Sequence, residues 1–447
     1  MSTDGQAPAT TDGEIPDGST LVEVDGMSKY FPSRTGFIAS IRGAPDVEAV
    51  DDVTFDIKKG ETLALVGESG CGKSTLARAL LQLERPTAGT VRFKGQDLTE
   101  MSNRDIRPLR QDMQMIFQDP HSSLNPRMKV GQIIEEPMKA HNLYDKEERT
   151  RRTKELLEKV GLERSHYHRY PHEFSGGQRQ RVNLARAFST DPDVIMCDEP
   201  VSALDVSVQA QVLNTMEQLQ EEFGVTYLFI SHDMSVVRYI ADRVAVMYLG
   251  HIVELAEKEE VFENPQHPYT EALLGAVPVP DPRASTPRIS LKGDVPSPIG
   301  PPSGCRFRTR CPKLIRPGEF GVGGGDTDVG LSSYDMGDAE WQNLLAFTRA
   351  VKRRSFVLDD VRNSTSAVEQ FVQDEFFDGS MPGGDPGDVL QKAVLLLAED
   401  EWDEATDTLQ QTFEEPSICA IERPEYVVET EHGDGTHFAA CHLHRDG

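Results

Sequence analysis

Residues 67–74 read Gly-Glu-Ser-Gly-Cys-Gly-Lys-Ser, the spacing G-x-x-x-x-G-K-[ST]. Its chemistry is the binding of a polyphosphate. Gly67, Gly70 and Gly72 let the backbone close around phosphates without Cβ clashes. The N–H groups of Glu68, Ser69 and Cys71 join a helix N-terminus in supplying positive potential. Lys73 would reach the β- and γ-phosphates, Ser74 would hold Mg²⁺, and Thr75 adds a hydroxyl toward an inner phosphate. A second set of groups follows the apolar run Asp-Val-Ile-Met-Cys, which ends in Asp198 and Glu199. Two adjacent carboxylates are costly unless a cation is near. Asp198 suits the Mg²⁺ shell, and Glu199 suits a general base polarising an attacking water. His232 ends the next apolar run and can hydrogen-bond a γ-phosphate. Gln118 ends Met-Gln-Met-Ile-Phe and can reach the metal or the water. A second anion site, Ser175-Gly176-Gly177-Gln178, opens a basic helix about a hundred residues after Lys73.

These groups need a scaffold. Residues 21–60 read as short strands, and 62–83 as a strand, a glycine loop and a helix. Residues 131–187 read mostly helical. The two apolar strands ending at Asp198 and near His232 flank a helix at about 207–222. The pattern predicts an α/β fold with a parallel core and a helical insertion. Ligands in such sheets gather at the carboxyl ends of the strands, where Asp198, Glu199 and His232 stand. Beyond about residue 275 the chain turns Pro-rich, then Gly-rich over 318–335. Three amphipathic helices are then predicted at about 338–353, 365–377 and 387–413. Cys197 reads as a small core residue.

The 447 residues carry 74 Asp and Glu against 46 Lys and Arg, a net charge of −28. Nucleic acid and anionic lipid both need a basic footprint, so neither is expected as the main partner. There is no run of 18 or more apolar residues of the kind that spans a bilayer. Residues 1–20 form a polar stretch expected to be a disordered tail and not a signal peptide, so the chain is expected in the cytoplasm.

Over about residues 21–275 the chain resembles the ATP-binding-cassette ATPases. The resemblance rests on Gly67–Ser74, Gln118 in Ile-Phe-Gln-Asp-Pro, Phe-Ser-Gly-Gly-Gln at 174–178, Met-Cys-Asp-Glu-Pro at 196–200, Ser-Ala-Leu-Asp at 202–205, and Ser-His-Asp around His232. It implies a RecA-like parallel core, an antiparallel β lobe and a helical subdomain. It also implies that cassettes pair head to tail, so that Ser175, Gly176, Gly177 and Gln178 of one serve the nucleotide on the phosphate loop of the other. Asp205 would contact the opposing subunit. An aromatic near the N-terminus would stack on adenine; Tyr30 and Phe31 both qualify, and Phe31 is favoured by its placement.

The extended segment at 31–55, the segment at 117–137 and the Val261–Pro282 stretch followed by Gly-Cys-Arg-Phe-Arg-Thr-Arg-Cys-Pro resemble the ATPase subunits of oligopeptide, dipeptide and nickel importers. That likeness implies ATP hydrolysis driving uptake, a second ATPase subunit, two membrane permease subunits and an external binding protein. The chain would then sit on the inner face of the membrane. Relatives can carry four cysteines here that hold an iron–sulfur cluster, and Cys305, Cys311, Cys419 and Cys441 are the candidates. Thiolates suit a 4Fe–4S cluster, or zinc, with His442 and His444 as substitutes. Here 107 residues separate Cys311 from Cys419. Such a gap is tolerable if the intervening part is a self-contained helical insertion whose ends lie close. The expected divisions are a tail at 1–20, the ATPase domain at 21–275, a Pro-rich segment at 276–317, an acidic helical insertion at 318–416 and a final segment at 417–447. The rival reading is a soluble cassette protein acting as an iron-sensing adaptor or in DNA repair or translation. DNA repair or translation would call for tandem cassettes or a basic face.

Overall fold

The computed structural model describes residues 16–32, 46–119, 123–276, 291, 294–315, 338–354, 356–358, 364–377, 379–428 and 437–444. Most of the expected tail, the Pro-rich 277–290 and the Gly-rich 318–335 lie outside them. The chain divides into two units, Met1–Phe31 with Ala49–Ala245, and Pro32–Glu48 with Val246–Gly447.

The first unit begins with β1 (Thr20–Phe31), β2 (Val47–Lys58), β3 (Thr62–Val66), α1 (Lys73–Leu80), β4 (Ala88–Phe93) and β5 (Gln96–Asp97). Next come α2 (Asn103–Leu109), β6 (Met113–Ile116), α3 (Val130–Ala140), α4 (Lys146–Lys159) and α5 (Gly176–Ala187). It closes with β7 (Val194–Asp198), α6 (Val206–Phe223), β8 (Thr226–Ser231), α7 (Met234–Ile240) and β9 (Arg243–Tyr248). The division between units cuts β2 after Glu48 and β9 after Ala245. Strands β2-β1-β4-β5 make the antiparallel lobe. Its β1–β4 ladder bulges between Asp25 and Ser28. There Gly89, at φ +79°, lies so close to Gly26 that a Cβ would stand 2.2 Å from the Gly26 carbonyl oxygen.

Strands β3, β8, β7 and β6 are parallel neighbours. Every residue of β3, β7 and β8 is buried. That is why these strands read as unbroken apolar runs: a parallel sheet is covered on both faces. On one side Ile195, Cys197, Tyr227 and Phe229 join Leu184, Phe188 and Met216 in a single core. Cys197 is fully buried there, as expected of a small core residue.

The second unit contains β10 (His251–Glu257), α8 (Lys258–Glu263), α9 (Pro268–Gly275), α10 (Asp338–Arg353), α11 (Thr365–Phe376) and α12 (Gly384–Ala398). After these come α13 (Trp402–Phe413), α14 (Ile418–Ile421), β11 (Tyr426–Val428) and β12 (His437–Ala439). Strand β12 pairs antiparallel with both β10 and β11. His437 joins the sheet from the far end of the chain, its Nε2 2.7 Å from Glu254 Oε1 with both side chains fully buried.

The apolar stripes of α10 to α13 meet in one core that includes Trp341, Phe347, Leu390, Leu409 and Phe413. The helix expected across 387–413 is two helices. The acidic triplet Glu399-Asp400-Glu401 interrupts it, with Asp400 at φ +68°. Asp tolerates the left-handed region, and its carboxylate accepts the Trp402 indole N–H at 3.0 Å. The turn lets α13 return against α12, so the apolar side chains of both enter one core.

Leu390 is fully buried in that core. Leu390→Ala is expected to lower the stability of the bundle by about 2–5 kcal/mol. The chain's two tryptophans, Trp341 and Trp402, both lie in the bundle. Chemical unfolding followed by tryptophan emission checks the prediction.

Candidate functional site

The phosphate loop leaves β3 and turns into α1. Gly67, Gly70 and Gly72 take φ values of 153°, 81° and 111°, which side-chain-bearing residues rarely adopt. Lys73 is buried and donates to the Gly67 carbonyl at 2.7 Å and the Glu68 carbonyl at 3.0 Å. Cys71 packs beneath it, with Sγ 3.8 Å from Nζ. Burial pushes the Cys71 thiol up, against the pull of Lys73. Glu68 is half-buried, Ser69 is exposed, and Thr75 lies half-buried in the first turn of α1.

Ser74 Oγ donates to Asp198 Oδ1 at 2.8 Å, which joins the loop to the end of β7. Asp198 is 1% exposed. Burial lifts its carboxyl above the usual range, against the Ser74 hydrogen bond and the charge of Arg78. A hydroxyl beside a buried carboxylate is a hard oxygen donor set, which fits Mg²⁺.

Glu199 takes φ +47°. Its N–H donates to the Ile230 carbonyl at 3.1 Å, which fixes the turn leaving β7 against β8. One carboxylate oxygen accepts from Gln118 Nε2 at 2.9 Å, and the other lies 3.3 Å from His232 Nδ1. A cavity of about 40 Å³ opens beside them, lined also by Ser202, Gln209 and Ser231. That is room for a water or two. The structure brings Glu199, Gln118 and His232 together as one group. Arg78 and Gln209 went unread, because neither sits in a motif.

Ser175 caps α5. Its hydroxyl accepts from the Gln178 N–H at 3.3 Å, and the Gln178 side chain accepts from the Ser175 N–H at 3.0 Å. A Cβ on Gly177 would stand 2.3 Å from Val208 Cγ1, so that glycine is required where α5 meets α6. Asp205 caps α6, accepting from the Val208 N–H at 3.0 Å and from Ser207 Oγ at 2.7 Å. The Ser207 hydrogen bond holds its carboxyl below the usual range. Ser175 and Asp205 are both exposed, and the helix starts they cap are adjacent, with Gly176 packed on Leu204. Tyr30 gives its hydroxyl to Asp51, whereas the half-buried ring of Phe31 lies 4.7 Å from the Lys29 ammonium.

In the second unit Cys305, Cys311, Cys419 and Cys441 converge. The Cys305 N–H donates to the Cys419 carbonyl at 2.7 Å. Gly304, at φ +63°, has no room for a Cβ beside that carbonyl. None of the four is in a disulfide. Burial pushes the Cys305 and Cys441 thiols up to about 12, and the neighbouring cysteines add to it. Cys311 is raised further by burial and by the other three. Among the described residues no three Cys, His, Asp or Glu side chains stand at metal-ligand spacing. The donor set is four thiols in one region, and for Cys305, Cys311 and Cys441 other members of the set raise the cost of ionising, a cost that a cation would relieve. His442 bonds Tyr426 and the Glu422 carbonyl instead, and His444 bonds the Gln266 carbonyl.

A groove of about 310 Å³ runs beside Gln118, lined by Phe117, Leu83, Met115, Pro137 and Arg186. Phe117 and Leu83 are exposed. The one sequence signal for it was the aromatic directly before Gln118.

Three segments match known families. Residues 50–202 match the ABC transporter family. Residues 253–315 match the oligopeptide/dipeptide transporter C-terminal region. Residues 338–432 match a domain of unknown function. The oligopeptide transport ATP-binding protein AppF of Bacillus subtilis is 57% identical over 296 residues, covering 66% of this chain and 89% of that protein. The dipeptide transport ATP-binding protein DppF of Escherichia coli is 51% identical, covering 66% of this chain and 88% of its own. A solved ATP-binding cassette, dimeric and bound to ADP and phosphate after hydrolysis, is 27% identical. It covers 53% of this chain and 99% of its own, at a TM-score of 0.48.

Ser74→Ala would leave the buried Asp198 carboxylate without its hydroxyl donor. In nucleotide-free protein this is expected to cost about 1–3 kcal/mol of stability. Loss of the donor raises the folded-state pKa of Asp198 further, so the penalty is present above that pKa and vanishes below it. Melting curves should therefore show the full loss at pH 8 and a loss that shrinks as the pH is lowered through that pKa.

Proposed function

This chain belongs to the family of ABC-transporter ATP-binding proteins that serve oligopeptide and dipeptide transport, and from that premise we propose how its residues share the work. It is the ATP-hydrolysing subunit of a peptide importer. The phosphate loop, from Gly67 to Ser74, wraps the β- and γ-phosphates with its N–H groups, and Thr75 reaches an inner one. Lys73 supplies a point charge from beneath. Phe31 stacks on the adenine. Ser74, Asp198 and Gln118 would hold Mg²⁺, which would neutralise charge developing on the phosphate oxygens.

The observation that carries the reading is the Glu199 carboxylate, held between Gln118 and His232 at 2.9 and 3.3 Å beside a cavity of water size. Glu199 accepts a hydrogen bond from the attacking water and orients it in line with the γ-phosphate. His232 hydrogen-bonds the γ-phosphate and marks its presence. Gln118 spans the carboxylate and the metal site, so the loop behind it senses the nucleotide.

Ser175, Gly176, Gly177 and Gln178 act on the nucleotide of a second ATPase subunit. In support, Ser175 is exposed at the start of α5, where the helix dipole favours an anion. Asp205, exposed on the adjoining helix start, meets the opposing subunit. Closure around two nucleotides and reopening after hydrolysis move two permease subunits, fed by an external binding protein. The groove at Phe117 is the seat for a permease segment: it is apolar, concave and one residue from Gln118. Among the described residues no helix is long and apolar enough to cross a membrane. The chain would be held at the inner membrane face through that seat. Nucleic acid is not among its partners. Cys305, Cys311, Cys419 and Cys441 would hold a 4Fe–4S cluster, which fastens the three segments that carry them.

Glu199→Gln is expected to cut steady-state ATP turnover of the assembled transporter by at least about 10² while ATP binding persists. Ser175→Arg should abolish turnover without weakening ATP binding to the isolated chain. Unchanged turnover in both variants would sink the proposed roles. The cluster has a separate check. Anaerobically purified protein should absorb broadly in the visible, and Cys311→Ser should remove that absorbance.

A further inference from the structure

A cavity of about 520 Å³ lies wholly within the second unit, and none of its lining residues belongs to the ATP motifs. One wall is the extended stretch at 294–302, which offers Val295, Pro296 and Pro302. The lining is also cationic: Arg308 and Arg310 come from the turn between Cys305 and Cys311, and Arg349 and Lys352 from α10. Asp294 and Glu414 complete the lining. Four cations thus face two carboxylates, in a chain whose net charge is −28. Residues 338–416 hold 18 acidic side chains and six basic ones, and four of those six fall within 349–354. The positive charge is concentrated on one short run of α10, two of whose members line this cavity. A concave site lined by one sign of charge with apolar walls focuses its field on a ligand of the other sign.

The cations are also held in place. Arg349 Nη2 donates to the carbonyls of Arg308 and Cys311, both at 3.0 Å, and its Nε lies 3.6 Å from the buried Glu414 carboxylate. Arg308 Nε donates to the Ser303 carbonyl at 3.1 Å. Arg310 is 8% exposed and donates to the Tyr248 hydroxyl at 3.4 Å. Lys352 is exposed at the rim and has no ion-pair partner among the described residues. The Thr309 hydroxyl, in the same lining, is buried without a hydrogen-bond partner among them. Fixed guanidinium groups, an exposed ammonium and an unmatched hydroxyl are together the donors that an oxyanion takes.

We propose that this cavity binds a small organic anion, with its carboxylate or phosphate on Arg308, Arg310 and Lys352 and its apolar body against Val295, Pro296 and Pro302. A bound anion would draw α10 toward the turn that carries Cys305 and Cys311, because Arg349 already joins the two. Occupancy would thereby register in the helical insertion. This holds whichever residues hydrolyse ATP.

The test uses the full chain with its phosphate loop filled by ADP and Mg²⁺. Inorganic phosphate and the dipeptide Ala-Ala are each titrated by calorimetry and by tryptophan emission, since Trp341 sits on α10. At least one probe should saturate with a Kd below about 5 mM. The probe that does so tells a phosphate-bearing ligand from a carboxylate-bearing one. Lys352→Glu and Arg308→Gln should each weaken that binding about tenfold or more, which corresponds to about 1.4 kcal/mol, and leave ATP turnover unchanged. Failure of both probes to saturate overturns the proposal, and so does equal affinity in the wild type and both variants.

Discussion

The register between β3, β8 and β7 is the constraint on which the ATP site depends. Val66 pairs with Ser231, and Asp198 with Ile230. Three strands therefore end at nearly one level, about 4.8 Å apart. What each strand emits next, the glycine loop, Glu199 or His232, emerges beside the others. A slip of one residue in β7 would turn Asp198 to the opposite face and part it from Ser74. The fully buried side chains of all three strands hold the register against such a slip. The catalytic geometry is a by-product of core packing.

Burial also sets the electrostatics. Asp198 is shielded from solvent and kept ionisable by Ser74 and Arg78, so a cation placed there gains from a low local dielectric. Glu199, one residue on, is more open and lies between two polar neighbours. Two adjacent carboxylates thus occupy different environments, as the proposed metal-binding role of Asp198 and water-activating role of Glu199 require.

Much of this was legible in the sequence because it is local. The glycine spacing announces the loop, apolar runs announce covered strands, and Ser175 with Gln178 announces a helix start. The strand ends of β7 and β8 fall within a residue or two of where the pattern puts them. The rest required tertiary proximity. The break at Asp400 escaped because helical spacing survives on both sides of the triplet, and only the backbone sign betrays the turn. Arg78 acts on Asp198 through space. The grouping of Arg308 and Arg310 with Arg349 and Lys352 depends on how a turn and a helix some forty residues apart come together.

The insertion leaves and returns through a narrow neck. Ser417 Oγ donates to the Ile315 carbonyl at 2.7 Å, the Trp341 indole to the Leu314 carbonyl at 2.8 Å, and Ser303 Oγ to the Ala420 carbonyl at 2.9 Å. Loop-closure entropy rises only with the logarithm of the intervening length. With so tight a stem, the appendage can lengthen, shrink or be exchanged over evolutionary time while the cysteines on either side of the stem keep their meeting point. The ATPase core can thus carry such a module as a graft, without renegotiating any contact already made.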